Sequence, residues 1–211
     1  LELSPDAKSF LDHFEVTPEV LQQVIAEAMS RGGDYADLFF EHKIANTLAL
    51  EDGNVNRAYS NVDYGMGVRV LKGDQTGFAY TENISLKDML DAAKTAASIA
   101  ADPVTFNQAA ILEKIPANYY RISRTWEDAS VEEKVPYVQK INDRVFELDG
   151  KVTRVNASLA DETAYVLFYS SEGRLTYDYR PLASFRVRCV MEKDGHIENG
   201  SSSRSYRKGF E

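Results

Sequence analysis

Cysteine is almost missing from this 211-residue chain. Cys189 stands alone, so no internal disulfide can form, and the chain suits a reducing, cytoplasmic setting. Histidine is nearly as scarce. His13, His42 and His196 are isolated in sequence, with no His-Glu-x-x-His pair, whereas zinc needs three or four converging ligands. Cys189 and His196 flank the Asp194-Gly195 turn and would face each other across a hairpin. A buried thiol and a surface imidazole is the plainer assignment for that pair. No run of about 18 apolar residues is present, so no segment is expected to span a membrane. The opening Leu1-Glu2-Leu3-Ser4-Pro5-Asp6 lacks the basic and apolar regions of a signal peptide. It also lacks a starting methionine, which points to a piece of a longer protein.

Other signatures fail on inspection. There is no Gly-x-Ser-x-Gly elbow for acyl transfer, and Cys189 lies in a strand pattern beside Arg188, away from any helix N-terminus. Gly65-Met66-Gly67 starts like a dinucleotide fingerprint, but Val70 replaces the third glycine and a strand follows. Basic charge is in deficit, at 24 against 33 acidic groups, and the deficit is uneven. Residues 1–101 hold 8 basic and 16 acidic groups, while residues 102–211 hold 16 and 17. Duplex binding needs cations to displace counterions, so nucleic acid is not an expected partner. The cluster Arg204, Arg207 and Lys208 reads as a solvated segment.

What remains is a globular composition, 44% hydrophobic and 27% charged, arranged in two similar passes. Thr17 caps a helix with Pro18 in its first turn, and Gly32-Gly33 stop it. Phe10, Leu11 and Phe14 suggest a short helical turn before it. Strand patterns follow at Tyr35–Leu50, Asn54–Ser60, Tyr64–Leu71 and Gln75–Tyr80, joined at Asp52-Gly53 and Lys72-Gly73-Asp74. Such short connections require antiparallel neighbours. Ser85 and Asp88 then open an alanine-rich helix that Asp102-Pro103 would end, with Leu86, Met89, Leu90, Ala93, Ala97 and Ala100 inward. Residues 103–129 show no period and read as an irregular linker, pinned by Tyr119, Tyr120 and Trp126. A second helix-then-sheet unit spans 130–211. Ser130 and Glu133 form a capping box, and Val135, Val138, Ile141, Val145 and Leu148 form the expected buried face. Pro136 is expected to kink its first turn. Strands are then expected at Val152–Leu159, Ala164–Tyr169, Arg174–Tyr179, Leu182–Met191 and His196–Ser203. The predicted fold class is α+β, two consecutive helix-plus-antiparallel-sheet units, with residues 1–102 as the first domain.

One segment departs from plain core logic. Asp63 to Tyr80 holds four glycines in 18 residues, Gly65, Gly67, Gly73 and Gly77. Glycine in a strand marks a bend, a bulge or the close approach of another backbone. The two readings are a strongly bent sheet and a surface along which an extended peptide lies.

The same segment resembles the N-terminal domain of the TldD branch of the TldD/PmbA family, zinc metalloproteases also described as modulators of DNA gyrase. The residues that carry the resemblance are Asp34-Tyr35-Ala36-Asp37-Leu38-Phe39-Phe40, Leu50-Glu51-Asp52-Gly53, Gly65-Met66-Gly67-Val68-Arg69 and Gly73-Asp74-Gln75-Thr76-Gly77-Phe78-Ala79-Tyr80. Ile84-Ser85-Leu86, Arg180-Pro181-Leu182, Glu192-Lys193-Asp194-Gly195, Asn199-Gly200-Ser201 and Gly209-Phe210-Glu211 follow in the family's order. The resemblance implies a His-Glu-x-x-x-His zinc helix downstream of this region. It therefore implies zinc in the parent protein, no catalytic or metal residue in this chain, and a fragment that is inactive alone. It also implies assembly with a PmbA/TldE-like subunit or with itself, and peptides or unfolded proteins as substrates. On that view this region supplies chamber wall and a peptide-guiding surface. The residues expected to touch substrate are Arg69, Asp74, Thr76, Phe78 and Tyr80, with Arg69 for a carboxylate or carbonyl and Phe78 and Tyr80 for apolar contact. The rival reading is a non-enzymatic interaction module, a regulator of the gyrase-modulator type.

Overall fold

The computed structural model describes residues 3–100, 105–117, 120 and 122–210. The opening Leu1-Glu2, the Asp102-Pro103 stop, Tyr119 and Glu211 lie outside the described residues. Among the described residues four helices, α1 (Pro5–His13), α2 (Pro18–Met29), α3 (Leu86–Ala97) and α4 (Val131–Leu148), accompany one seven-stranded sheet. Its strands are β1 (Tyr35–Glu51), β2 (Asn54–Lys72), β3 (Gln75–Thr81), β4 (Leu112–Glu113), β5 (Val152–Ser170), β6 (Arg174–Lys193) and β7 (His196–Tyr206). They run in the order β3-β2-β1-β5-β6-β4, with β7 also on β6. The α+β class holds. The chain divides into two compact units. One comprises residues 1–42, 63–117 and 165–179, and the other residues 43–62, 118–164 and 180–211.

The helices begin where their caps dictate. Ser4, Thr17, Ser85 and Ser130 each accept a backbone N–H of the first turn through the side chain, satisfying a donor the helix cannot. Ser130 and Glu133 complete a reciprocal capping box. α4 then runs through Pro136 as one helix. The hairpins also follow local chemistry. Asp52-Gly53 and Asp194-Gly195 take positive φ at both positions, the twist that suits a two-residue hairpin.

In the first unit, α1, α2 and α3 cover a core of Phe14, Leu21, Ile25, Leu38, Phe40, Met66 and Met89. α3 presents Met89, Ala92, Ala93, Ala96 and Ala97 to it, while Leu86 stays exposed. Alanines let α3 approach β3, and Gly77 completes the fit: a Cβ there would lie 2.0 Å from the Ala96 carbonyl oxygen. α1 is longer than the short turn expected from Phe10, Leu11 and Phe14. Ser4 ties its start down by bonding Glu113 through both N–H (2.8 Å) and hydroxyl (2.5 Å), and Tyr177 donates to the same carboxylate at 3.0 Å. Burial opposes ionisation of Glu113, but these donors outweigh it and its pKa is lowered.

The second unit contains α4, whose buried face differs from the apolar stripe in its sequence. Lys134, Val138 and Asn142 are buried, Val135 and Ile141 are partly buried, and Leu148 is exposed. Lys134 is buried because its ammonium meets Asp161 of β5 at 3.0 Å, with both side chains at 5% exposure or less. Asn46 of β1 donates to the other Asp161 oxygen at 2.8 Å, so one carboxylate joins α4, β5 and β1. Trp126 fixes the approach to α4 by donating to the Lys208 carbonyl at 2.7 Å and packing edge-on to Phe210.

Three strand expectations need correction. Asn54–Ser60 and Tyr64–Leu71 are one strand, β2. Ala164–Tyr169 is not a separate strand but the end of β5, and Arg174–Tyr179 and Leu182–Met191 are one strand, β6. Pro181 does not break β6. It falls between the stretch paired with β4 (Arg174, Leu175) and the stretch paired with β7 (from Ala183), where it interrupts neither ladder. The 103–129 region also contains a strand, β4, that pairs parallel with Arg174 and Leu175.

Lys134→Met should cost about 3–5 kcal/mol in urea denaturation, because it strands the Asp161 carboxylate in a buried site. At the α4 cap, the Arg124 guanidinium and the Ser130 N–H hold the Glu133 carboxyl down at about 2 from the ordinary 4.5. Its contribution to stability is therefore complete above pH 4.5 and lost as pH falls from 4.5 through 2. Arg124→Met should move the Glu133 midpoint back up toward 4.5, read by carboxyl-carbon NMR titration.

Candidate functional site

The glycine-rich hairpin places most of the expected site residues in one array. In β2, Met66, Val68 and Val70 point into the core, so Gly67, Arg69 and Leu71 point away from it. In β3, Gly77 meets α3, so Thr76, Phe78 and Tyr80 share the outward side. Register sets Arg69 opposite Phe78, Gly67 opposite Tyr80 and Leu71 opposite Thr76. Phe78 is 64% exposed and Tyr80 71%, an unusual display of aromatic surface. A Cβ on Gly67 would meet the Phe78 ring at 3.2–3.3 Å, so the missing side chain lets that ring lie over β2.

Arg69 is already engaged. Its Nη2 and Nε donate to Asp37 Oδ2 at 2.5 and 3.1 Å, and Asp37 is 7% exposed at its side chain. The hydrogen bonds to Asp37, and then its charge, raise the Arg69 pKa. The nearby Tyr35 hydroxyl is also pushed up, first by burial and then by the Asp37 charge. Asp74 stands apart at the hairpin tip. The six residue steps from Asp74 to Tyr80 span roughly 20 Å of extended strand. It is Asp34 that holds this tip, accepting from the Gly73 N–H at 2.8 Å and from Lys72 Nζ at 3.1 Å. Those two partners, the N–H first, lower the Asp34 pKa.

Two features escaped sequence reasoning. His13 and His42 are not isolated: His13 Nε2 lies 2.9 Å from His42 Nδ1, and His13 stacks on Tyr165 at 4.2 Å between ring centres. The signal available was weak, a histidine closing α1 and another on the inward phase of β1. A groove of about 1010 Å³ also lies between α4 and the β6–β7 hairpin, lined by Tyr137, Ile141, Val145, Phe185, Arg204 and Tyr206 among others. Cys189 and His196, in contrast, do not pair. Register sets Cys189 opposite Gly200 and His196 opposite Lys193. Among the described residues no group of three or more His, Cys, Asp and Glu side chains could hold a metal ion. The described residues therefore do not fit a zinc centre. No helix among them is long and apolar enough to cross a membrane.

Comparison with known proteins decides the family. Residues 36–100 match PmbA/TldA metallopeptidase domain 1, and residues 124–211 match the PmbA/TldA metallopeptidase central domain. The chain belongs to the PmbA/TldD family. It is 29% identical over 203 residues to the Metalloprotease TldD homolog of Buchnera aphidicola, covering 96% of this chain and 42% of that protein. With the Haemophilus influenzae TldD homolog it shares 28% over 216 residues, covering 99% of this chain and 44% of that one. The chain thus spans less than half the length of these family members. Among solved structures, one described as a modulator of DNA gyrase from Thermotoga maritima aligns with a TM-score of 0.68 at 17% identity. It covers 90% of this chain and 43% of its own. TldE from Thermococcus kodakarensis aligns at 0.60 and 16%, covering 89% and 43%. At those identities the shared property is the fold.

Arg69→Met should destabilise the protein by about 1–3 kcal/mol, because it leaves the Asp37 carboxylate buried without its donor. In thermal or urea unfolding, Asp37→Leu in the same chain should recover part of that loss.

Proposed function

We propose that this chain is the non-catalytic N-terminal part of a TldD-like zinc metallopeptidase that processes peptides. In this reading residues 1–102 form the first domain, 103–129 connect, and 130–211 belong to the central domain. Zinc is held by residues outside this chain, and no step of the chemistry falls to the side chains described above. The observation that carries the reading is the match of both segments to successive metallopeptidase domains of one family. The TldE fold neighbour supports assembly with a TldE-like subunit.

This part contributes chamber wall and a guiding surface for peptide. Phe78 and Tyr80 offer exposed ring faces beside a strand whose backbone can pair with an extended chain, a mode that tolerates many sequences. Thr76 lies along the same line, and Arg69 borders it while bound to Asp37. Asp74 is placed to act only at the hairpin tip.

The test is a peptidase assay with added zinc on the 211-residue chain, beside the full-length enzyme with its partner subunit. The chain alone is expected to be inactive, and robust zinc-dependent cleavage by it would overturn the proposal. In the full enzyme, Phe78→Ser with Tyr80→Ser should lower kcat/KM for peptides about tenfold, the loss of an aromatic anchor worth about 1–2 kcal/mol. Unfolding should be nearly unchanged, because both side chains are exposed.

A further inference from the structure

β6 carries two cations with nothing acidic beside them. Ala183, Phe185 and Val187 turn toward the cluster that includes Val138 of α4, so Ser184, Arg186 and Arg188 project from the opposite side of the sheet. Register sets Arg186 opposite Ser203 and Arg188 opposite Ser201 on β7. Together with Asn199 these side chains line a concavity of about 480 Å³, and none of its lining residues is acidic. On the neighbouring strand β5, Val155, Ala157 and Leu159 are buried, which leaves Asn156, Ser158 and Ala160 on this side, again without a carboxylate. Along β6 the first acid on this side is Glu192, roughly 13 Å from Arg188.

The chain has acids to spare, 33 against 24 basic groups. Arg69, Arg124, Arg144 and Arg154 each meet a carboxylate. Among the described residues Arg186 meets none, and Arg188 donates only to the Asn199 side-chain oxygen, at a long 3.4 Å. Like charges side by side on one strand repel, and an anion between them removes that cost.

The donors identify the anion. Each guanidinium is a flat fork of N–H groups, and each serine adds a hydroxyl. A carboxylate or a phosphodiester has two free oxygens and a single charge, which one fork satisfies. A phosphate monoester has three free oxygens and a charge of about −1.5 to −2 at neutral pH, enough to occupy both forks and both hydroxyls. We propose that Arg186, Arg188, Ser201 and Ser203 form a binding site for a phosphate monoester group, carried by a small molecule or by a phosphorylated peptide. Ser184 and Ser205 stand next on the ladder and bond each other at 2.8 Å, so they close the site on that side without competing for the ligand. The inference stands apart from the proposed role in peptide processing.

An amide NMR titration of the 211-residue chain at neutral pH and constant ionic strength is the test. Phenyl phosphate should move the amides of Arg186, Arg188 and Ser201 to Ser203, with a Kd on the order of 1 mM. Phenylacetate, a carboxylate on the same ring, should bind about tenfold more weakly. Arg186→Gln and Arg188→Gln should each weaken phenyl phosphate about tenfold, and Ser201→Ala with Ser203→Ala about threefold. Arg207→Gln, outside the concavity, should leave the affinity unchanged. These side chains are all exposed, so the fold should tolerate each exchange. A capped peptide with a central phosphoserine separates the two sources. Binding tighter than phenyl phosphate assigns the site to phosphorylated peptides, and weaker binding assigns it to small phosphomonoesters. The proposal is overturned if neither phosphate compound moves these amides up to about 20 mM. It is overturned equally if phenylacetate binds as well as phenyl phosphate, or if Arg207→Gln costs as much as Arg188→Gln.

Discussion

Strand alternation along strands of 17 to 20 residues is the constraint that the fold depends on. β1 buries Ala36, Leu38 and Phe40 in one unit and Leu48 and Leu50 in the other, all at even positions. β6 repeats this at odd positions with Leu175, Tyr177 and Ala183. β5 buries Val155, Ala157, Leu159 and Asp161, all odd, and from Thr163 onward buries both parities, Ala164 and Val166 as well as Leu167 and Tyr169. A one-residue slip in β1 or β6 would turn out the side chains of both cores at once. Each unit therefore specifies the register of the other through the covalent strand. The pairing of Asp161 with Lys134 and Asn46 ties that register to α4 and β1, because the buried ammonium and the amide meet on one carboxylate.

That dependence explains which parts of the fold were legible in the sequence. Helix starts were readable because capping is local: Thr17, Ser85 and Ser130 need only their own first turns. The hairpins at Asp52-Gly53 and Asp194-Gly195 were readable because positive φ leaves few residue choices. Strand length was not. Arg180-Pro181 looks like punctuation until its place between two ladders is known. The α4 face was misread for a related reason. Periodicity counts apolar residues and cannot see that Lys134 finds a carboxylate 27 positions away.

The candidate site shows the same division. The run from Gly65 to Tyr80 stood out by composition, and three of the five expected residues, Thr76, Phe78 and Tyr80, do share one exposed side of β3. The partners of the rest depend on tertiary structure. Arg69 answers to Asp37, and the turn that carries Asp74 is governed by Asp34, residues that the sequence showed only as part of a family-like segment. The two histidines were visible as letters but not as neighbours, since α1 and β1 meet only in the folded chain.

The Asp37–Arg69 pair has one further consequence. A guanidinium already committed to a buried carboxylate offers little net charge to a passing chain. Whatever lies along Phe78 and Tyr80 meets carbon and backbone, forces that counterions barely screen. Occupancy of that surface should thus be nearly blind to ionic strength and to the formal charge of the occupant. In the proposed peptide-guiding role, such indifference would let the surface accept many unrelated sequences.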